Sequence, residues 1–226
     1  MRMRKKKNLA PRLEACDGYL ISVDIPEADV REAIRVKEYF NFEEMFRRNA
    51  PVFLEIGCGK GHFICELARR HPENNYIAVE NVANVIVSAA ETAKEMELEN
   101  VKFLNIGAEL LERFIPSHSI AGIYLNFSSP YPKGSYANRR LTSPRFLKIW
   151  KELLAPGAEI HQKTDNMHFF EYSIEQYTQE GFLLREVNLD LHNSSFTGNI
   201  ETEYEHRFAS QGLPIYRLAA YLKEEK

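Results

Sequence analysis

The sequence predicts an α/β fold, a mostly parallel seven-stranded sheet with an antiparallel edge strand and helices on both faces. Two observations carry that prediction. Short apolar runs alternate with longer segments whose apolar residues recur at helical spacing, the pattern of a parallel sheet covered on both sides. The last two strand-like runs have no helix pattern long enough between them, so they can pair antiparallel at one edge.

The elements follow in order. Residues 27–48, "EADVREAIRVKEYFNFEEMFRR", carry apolar residues near helical spacing with charges between them and predict one surface helix. "PVFLEIG" reads as a buried strand and "GHFICELARRHP" as a helix stopped by Pro72; "NYIAVE" is the second strand. The helix "VANVIVSAAETAKEMEL" leads through an "EN" turn into the strand "VKFLNIG", and "AELLERFI" is helical. The strand "IAGIYLNF" runs into "NFSSPYPKGSYANRR", whose prolines stop strands and helices alike and fix a rigid loop. "SPRFLKIWKELL" is a helix with Ser143 as N-cap and Pro144 at its first position. "GAEIHQKTD" is a strand, "NMHFFEYSIEQYTQEG" a helix ending at Gly181, and "FLLREVNLDLH" and "PIYRLAAYL" are the final pair of strands. No internal repeat or linker interrupts this pattern. We read an N-terminal basic arm and helical extension over 1–48, followed by one domain over 49–226.

Composition narrows the class. With 226 residues, 44% hydrophobic and 12% aromatic, the chain can bury a sizeable core and is neither disordered nor fibrous. Three cysteines, Cys16, Cys58 and Cys65, lack paired spacing, and no apolar stretch approaches the length of a membrane span. The charged start "MRMRKKK" is not followed by the hydrophobic segment of a secretory signal. These features predict reduced thiols and a cytoplasmic protein that does not engage a membrane. Net charge is −3, which does not by itself mark a nucleic-acid binder. The distribution says more, because Arg2, Arg4, Lys5, Lys6 and Lys7 crowd the start and Lys133, Arg139 and Arg140 sit on the proline loop. Such basic arms are either solvated termini or phosphate contacts, and charge alone favours the first.

The first strand-to-helix turn carries chemistry. "LEIGCGKGHF" places Glu55, Gly57, Gly59 and Gly61 where an open α/β sheet binds its ligands, outside the carboxyl ends of the strands. The spacing E-x-G-x-G-x-G is neither the dinucleotide fingerprint nor a phosphate-binding P-loop. A carboxylate ahead of the glycines favours a cationic ligand, since it would repel a pyrophosphate. Glu80 ends the second strand, where an acid can accept both hydroxyls of a ribose. Glu55, the glycines and Glu80 together resemble the S-adenosylmethionine site of Rossmann-like methyltransferases; a tight α/β turn rich in glycine for backbone reasons alone is the competing reading.

Seven further runs narrow the resemblance. "NFSSPYPK", "RRLTSPRFL", "GAEIHQKTDN", "FEYSIE", "LDLHNS", "TEYEHRF" and "PIYRLAA", with the basic opening, resemble in order and over nearly the whole chain the bacterial tRNA (guanine-N7)-methyltransferase family. The resemblance implies methylation of N7 of a variable-loop guanosine in tRNA, with S-adenosyl-L-methionine as donor. It implies that Glu55, Gly57, Gly59, Glu80, Gly107, Ala108 and Asn126 contact the cofactor, and that Lys133, Asp165, Thr202, Glu203, Tyr204 and Glu205 contact the guanosine or its surroundings. The chemistry agrees: N7 carries an in-plane lone pair and loses no proton, so alignment and negative potential matter more than a general base. Asp165 can accept from the guanine N1–H and 2-amino group, or cap the helix beginning near Asn166. Tyr204 can stack on the base or pack half-buried.

Two departures from the family stand out. Ser129 occupies the place of the family's aspartate, the active-site acid, and Gly107 that of an acid at the adenine end of the cofactor. Tyr131 stands for a tryptophan and keeps an aromatic face. Loss of the aspartate's field costs on the order of 2–4 kcal/mol of barrier, which slows an enzyme without abolishing it. Glu109 is the nearest replacement at the adenine end, and Asp165 or Glu203 for the missing charge. His161, Asp190 and His192 lack metal-site spacing and read as structural, and the reaction needs no metal. The alternatives are a catalytically weak tRNA- or cofactor-binding protein of this fold, or a methyltransferase for another nucleic-acid target. Monomer and homodimer both remain open.

Overall fold

The structure, a computed structural model, describes residues 8–25 and 30–223. The basic arm Arg2, Arg4, Lys5, Lys6 and Lys7 lies outside the described residues. The chain forms two compact units, Met1–Arg113 and Phe114–Lys226.

In the first unit four strands, β1 (Leu20–Ile21), β2 (Val52–Ile56), β3 (Asn75–Val79) and β4 (Val101–Leu104), run in the order β1-β4-β3-β2, and every pairing is parallel. β3 is buried along its whole length, as a central parallel strand must be. The helices are α1 (Leu9–Glu14), α2 (Val30–Ala33), α3 (Phe42–Phe46), α4 (His62–Arg70), α5 (Ala83–Glu95) and the short α6 (Leu111–Phe114). The N-terminal segment is tied down. Arg12 forks onto Glu91 of α5 through bonds of 2.6 and 2.5 Å, Lys94 donates to the Ala15 carbonyl at 2.5 Å, and β1 adds a strand beyond β4.

In the second unit β5 (Ile120–Asn126), β6 (Leu154–Thr164), β7 (Phe182–Asn188) and β8 (Tyr216–Leu222) run in the order β5-β6-β8-β7. β5 and β6 are parallel, whereas β8 is antiparallel to both of its neighbours. The reversed strand therefore lies inside the rim, and β7 is the rim itself. Glu186, at φ 51°, breaks the β7 ladder between Arg185 and Asn188. Helices α7 (Pro144–Leu153), α8 (Met167–Gln179) and α9 (Glu203–Ala209) complete the unit. Trp150 of α7 is wholly buried and satisfies its indole N–H on the Leu141 carbonyl at 2.8 Å.

Four expectations need correction. The single helix over 27–48 is replaced by α2, which ends at Ala33, and α3, which starts anew where Asn41 takes an extended conformation and its side chain accepts from Glu44 N. Its residues 27–29 lie outside the described residues. Ser143 does stand at the N-cap with Pro144 after it, yet its hydroxyl turns to the Asn138 carbonyl and leaves the helix end uncapped. The stretch "AELLERFI" forms a 3-10 turn over Ala108–Leu110 before α6. Three elements were not expected at all, α1, β1 and α9.

Candidate functional site

The turn after β2 has the backbone that its glycines imply. Gly57 and Gly59 adopt φ 79° and 58°, and a Cβ on either would meet nothing within 4 Å. They are glycine for their left-handed backbone, and they border open space. Gly61 is glycine for another reason: a Cβ there would lie 2.6 Å from the Ala89 Cβ, so what approaches it is α5. Glu55 lies in β2 at 2% exposure, and Glu80 follows β3 half-buried. Glu80 accepts from Gly59 N at 3.3 Å and from Val82 N at 3.0 Å, one bond to each oxygen, which pins the turn to the end of β3. Each carboxylate oxygen keeps a lone pair for a ligand hydroxyl. The Cys58 thiol registers the local negative field, pushed well up by burial first and then by Glu55 and Glu80.

Gly107 precedes the 3-10 turn that Ala108 opens. The Glu109 carboxylate folds back beside it, within 2.8 Å of where a Cβ on residue 107 would stand. An acid thus sits at this strand end although residue 107 has no side chain.

In the second unit Asn126 ends β5, 9% exposed, and Phe127 follows at φ 50° with its N–H on the Lys163 carbonyl at 2.8 Å. Ser129 is exposed and makes no hydrogen bond to the described residues, while the Ser128 hydroxyl is shielded and unpartnered. Tyr131 is held at φ 41°. Arg140 is the clamp, donating to the Pro130 carbonyl at 2.9 Å and the Tyr131 carbonyl at 3.0 Å while its guanidinium lies 4.2 Å over the Tyr172 ring of α8. Lys133 is exposed beyond the clamp.

Asp165 leaves β6 half-exposed and makes no hydrogen bond to the described residues. The capping role falls to Asn166, whose side chain accepts from Phe169 N at 2.8 Å. Behind this strand end lies a buried polar cluster that the sequence did not announce. Lys163 donates to Glu205 at 2.6 Å, to the Ile200 carbonyl at 2.9 Å and to Asn199 at 3.1 Å. Glu205 is 0% exposed and its other oxygen takes Asn199 at 2.7 Å and lies 3.0 Å from the ring of His192. Thr202 and Glu205 form a reciprocal capping box that starts α9. Glu205 is buried and Thr202 half-buried, both committed to bonds within the protein, whereas Glu203 and Tyr204 stand on the exposed side of the same turn. The Tyr204 ring lies 5.2 Å from Phe127 and 4.8 Å from Phe208, and its hydroxyl is pushed up by burial and then by the charge of Asp165. The spacing Thr202-x-x-Glu205 is the one signal that could have found this helix start.

His161 stacks on Tyr124 at 5.1 Å and faces Glu159, and Asp190 accepts from Asn193. Among the described residues no group of three or more His, Cys, Asp or Glu is arranged to hold a metal ion.

Fold likeness defines the class. The solved 16S rRNA methyltransferase KamB superposes with TM-score 0.60 over 83% of this chain and 96% of its own, at 19% identity. A precorrin-6y C5,15-methyltransferase from Geobacter metallireducens does so with TM-score 0.54 over 98% and 94%, at 12% identity. The fold is that of the Rossmann-like methyltransferases. The model of the family described as "Putative methyltransferase" matches residues 49–218. A tRNA (guanine-N(7)-)-methyltransferase from Listeria innocua is 49% identical over 79% of this chain and 84% of its own. The enzyme of that name from Geobacillus thermodenitrificans is 42% identical over 97% of each chain. The chain belongs to the bacterial tRNA (guanine-N7)-methyltransferase family.

Proposed function

We propose that the protein transfers a methyl group from S-adenosyl-L-methionine to N7 of a variable-loop guanosine in tRNA. The observation that supports this most strongly is the coincidence of family membership over nearly the full chain with an acid–glycine turn suited to a cationic cofactor. The donor, when bound, supplies an electrophilic methyl on a sulfonium. Glu55 and Glu80 give the negative potential and the ribose acceptors that such a ligand needs, and Gly57 and Gly59 let it approach the backbone. Ala108 and Asn126 are assigned to the same ligand. Glu109 takes the part that residue 107 lacks the atoms to play, because its carboxylate already occupies that space.

For the acceptor, Asp165 is the acid with unused lone pairs, and it suits the guanine N1–H and 2-amino edge. Lys133 offers a phosphate contact and Tyr204 an aromatic face, with Glu203 beside it. Thr202 and Glu205 act from behind, fixing the turn that presents those two. N7 needs no base, and the base it becomes is cationic, so carboxylates nearby lower the barrier electrostatically.

The test is incubation with labelled S-adenosylmethionine and unmodified tRNA, followed by borohydride and aniline cleavage at 7-methylguanosine. Cleavage at a variable-loop guanosine is the expected result; bound cofactor and bound tRNA without product would sink the proposal. One observation favours a second reading, a tRNA-binding protein of weak turnover: Ser129 puts no charge where the family has an aspartate. Nucleoside mass spectrometry separates both from a methyltransferase that modifies another base.

A further inference from the structure

Helix α9 presents Glu203 and Tyr204, yet little of it reaches the interior. Of its seven residues only Glu205 is buried, so a carboxylate stands where an apolar stripe anchors most surface helices. The group that receives it is Lys163, whose side chain is 6% exposed. The ammonium commits its donors to one segment, bonding Glu205, the Ile200 carbonyl and Asn199. Asn199 closes the triangle, accepting from Lys163 at 3.1 Å and donating to Glu205 at 2.7 Å. The backbone of Lys163 holds a second segment. Its carbonyl accepts the N–H of Phe127, the residue at φ 50° that turns the chain out of β5, and the Phe127 ring lies 5.2 Å from that of Tyr204. Two residues further on, Asp165 leaves the same strand.

A buried ion pair seldom stabilises a fold more than an apolar pair of the same volume, so stability does not explain a lysine and a glutamate here. What a fully satisfied polar cluster supplies is one fixed arrangement of the parts that it joins. We propose that Lys163 is a positioning residue for methyl transfer: it fixes α9 and the loop after β5 in one relative placement, so that Tyr204, Glu203 and Asp165 meet the guanine together. Lys163 itself is too buried to touch RNA. The inference rests on a tRNA guanosine as the acceptor, and it deepens that reading by giving a task to a cation that contacts neither ligand.

Single-turnover methylation of unmodified tRNA at saturating S-adenosylmethionine tests it, on samples that melting curves show to be folded and with rates taken per cofactor-binding site. Lys163→Met is expected to slow the step at saturating tRNA by about ten- to a hundredfold, the loss that a misplacement of roughly 1 Å brings, with cofactor affinity as in wild type. Asn199→Ala keeps the ion pair and should move the rate the same way by less. Lys163→Met with Glu205→Met leaves no stranded charge, so it regains stability and is expected to stay slow. A Lys163→Met protein as fast as wild type would overturn the proposal, as would a double variant whose rate returns with its stability, or a loss confined to cofactor affinity. Where Lys163→Met does not fold, Asn199→Ala at the wild-type rate overturns it as well. Hydrogen exchange reads the same cluster without any reaction. Amides of α9 should exchange faster in the folded variants than in wild type, by a larger factor than those of α8. Wild type that forms no product defeats the proposed reaction alone; α9 exchange that rises no more than that of α8 defeats the positioning role alone.

Discussion

Ser129 faces solvent on the loop after β5, and its hydroxyl can donate or accept but supplies no field. Asp165 and Glu203 are the acids left to act on the acceptor side, since Glu205 is already spent on Lys163. Ser129→Asp is therefore expected to raise kcat. A preorganised charge is worth about 2–4 kcal/mol, so the gain should be roughly 30- to 1,000-fold in single-turnover methylation at saturating ligands. A kcat that does not rise would mean that this chain obtains its electrostatic stabilisation elsewhere. The neighbouring serine is a different case: Ser128 is shielded from water, so the two hydroxyls of one short run have unlike surroundings.

At the scale of elements, the start of α9 depends on a buried ion pair. Lys163 is 6% and Glu205 0% exposed as side chains, and removing one partner strands the other's charge. Lys163→Met is expected to cost about 3–5 kcal/mol in urea unfolding, and Lys163→Met with Glu205→Met distinctly less, because no lone charge remains. Parity of the single and double variants would refute that account. The same element shows what a sequence can carry. The strands of the sheet were legible because continuous apolar runs such as "YIAV" have one physical use, and the glycine turn because positive φ leaves glycine little competition. Helix α9 was not, since seven residues with four charged or polar side chains show no apolar stripe, and only the capping spacing marks it. Over 27–48 the periodicity was genuine, but the chain leaves the helix after Ala33 and the Asn41 cap begins a separate one, which a spacing pattern does not register. In the site, Glu55, Glu80 and Asp165 stood out as acids at strand ends. The inward turn of Glu205 and the reach of Arg140 depend on partners distant in sequence, which no spacing encodes.

For the whole molecule, pH acts through a histidine away from the site. Burial holds the His161 imidazole below its ordinary pKa, with Glu159 opposing and Arg217 adding to the effect. Because the folded protein resists that proton more than the unfolded chain does, the contribution is complete above roughly pH 6.5 and is lost as pH falls through the lowered value. The urea midpoint should fall between pH 7.5 and 5.5, and His161→Phe should flatten that decline; an equal decline in the variant would place its origin in other groups. Among the described residues no helix is long and apolar enough to cross a membrane. What the molecule does expose is its rim. β7 pairs with β8 alone and shows Leu183 and Val187 to solvent at 45% and 49%, the makings of a sticky border. The kink at Glu186 interrupts the row of backbone donors and acceptors that a neighbouring chain would need, and Arg185 and Glu186 put both signs of charge along it. Irregular residues of this kind are one means by which sheet edges resist pairing with another chain, so shortening β7 by one residue to straighten it is expected to trade solubility for regularity.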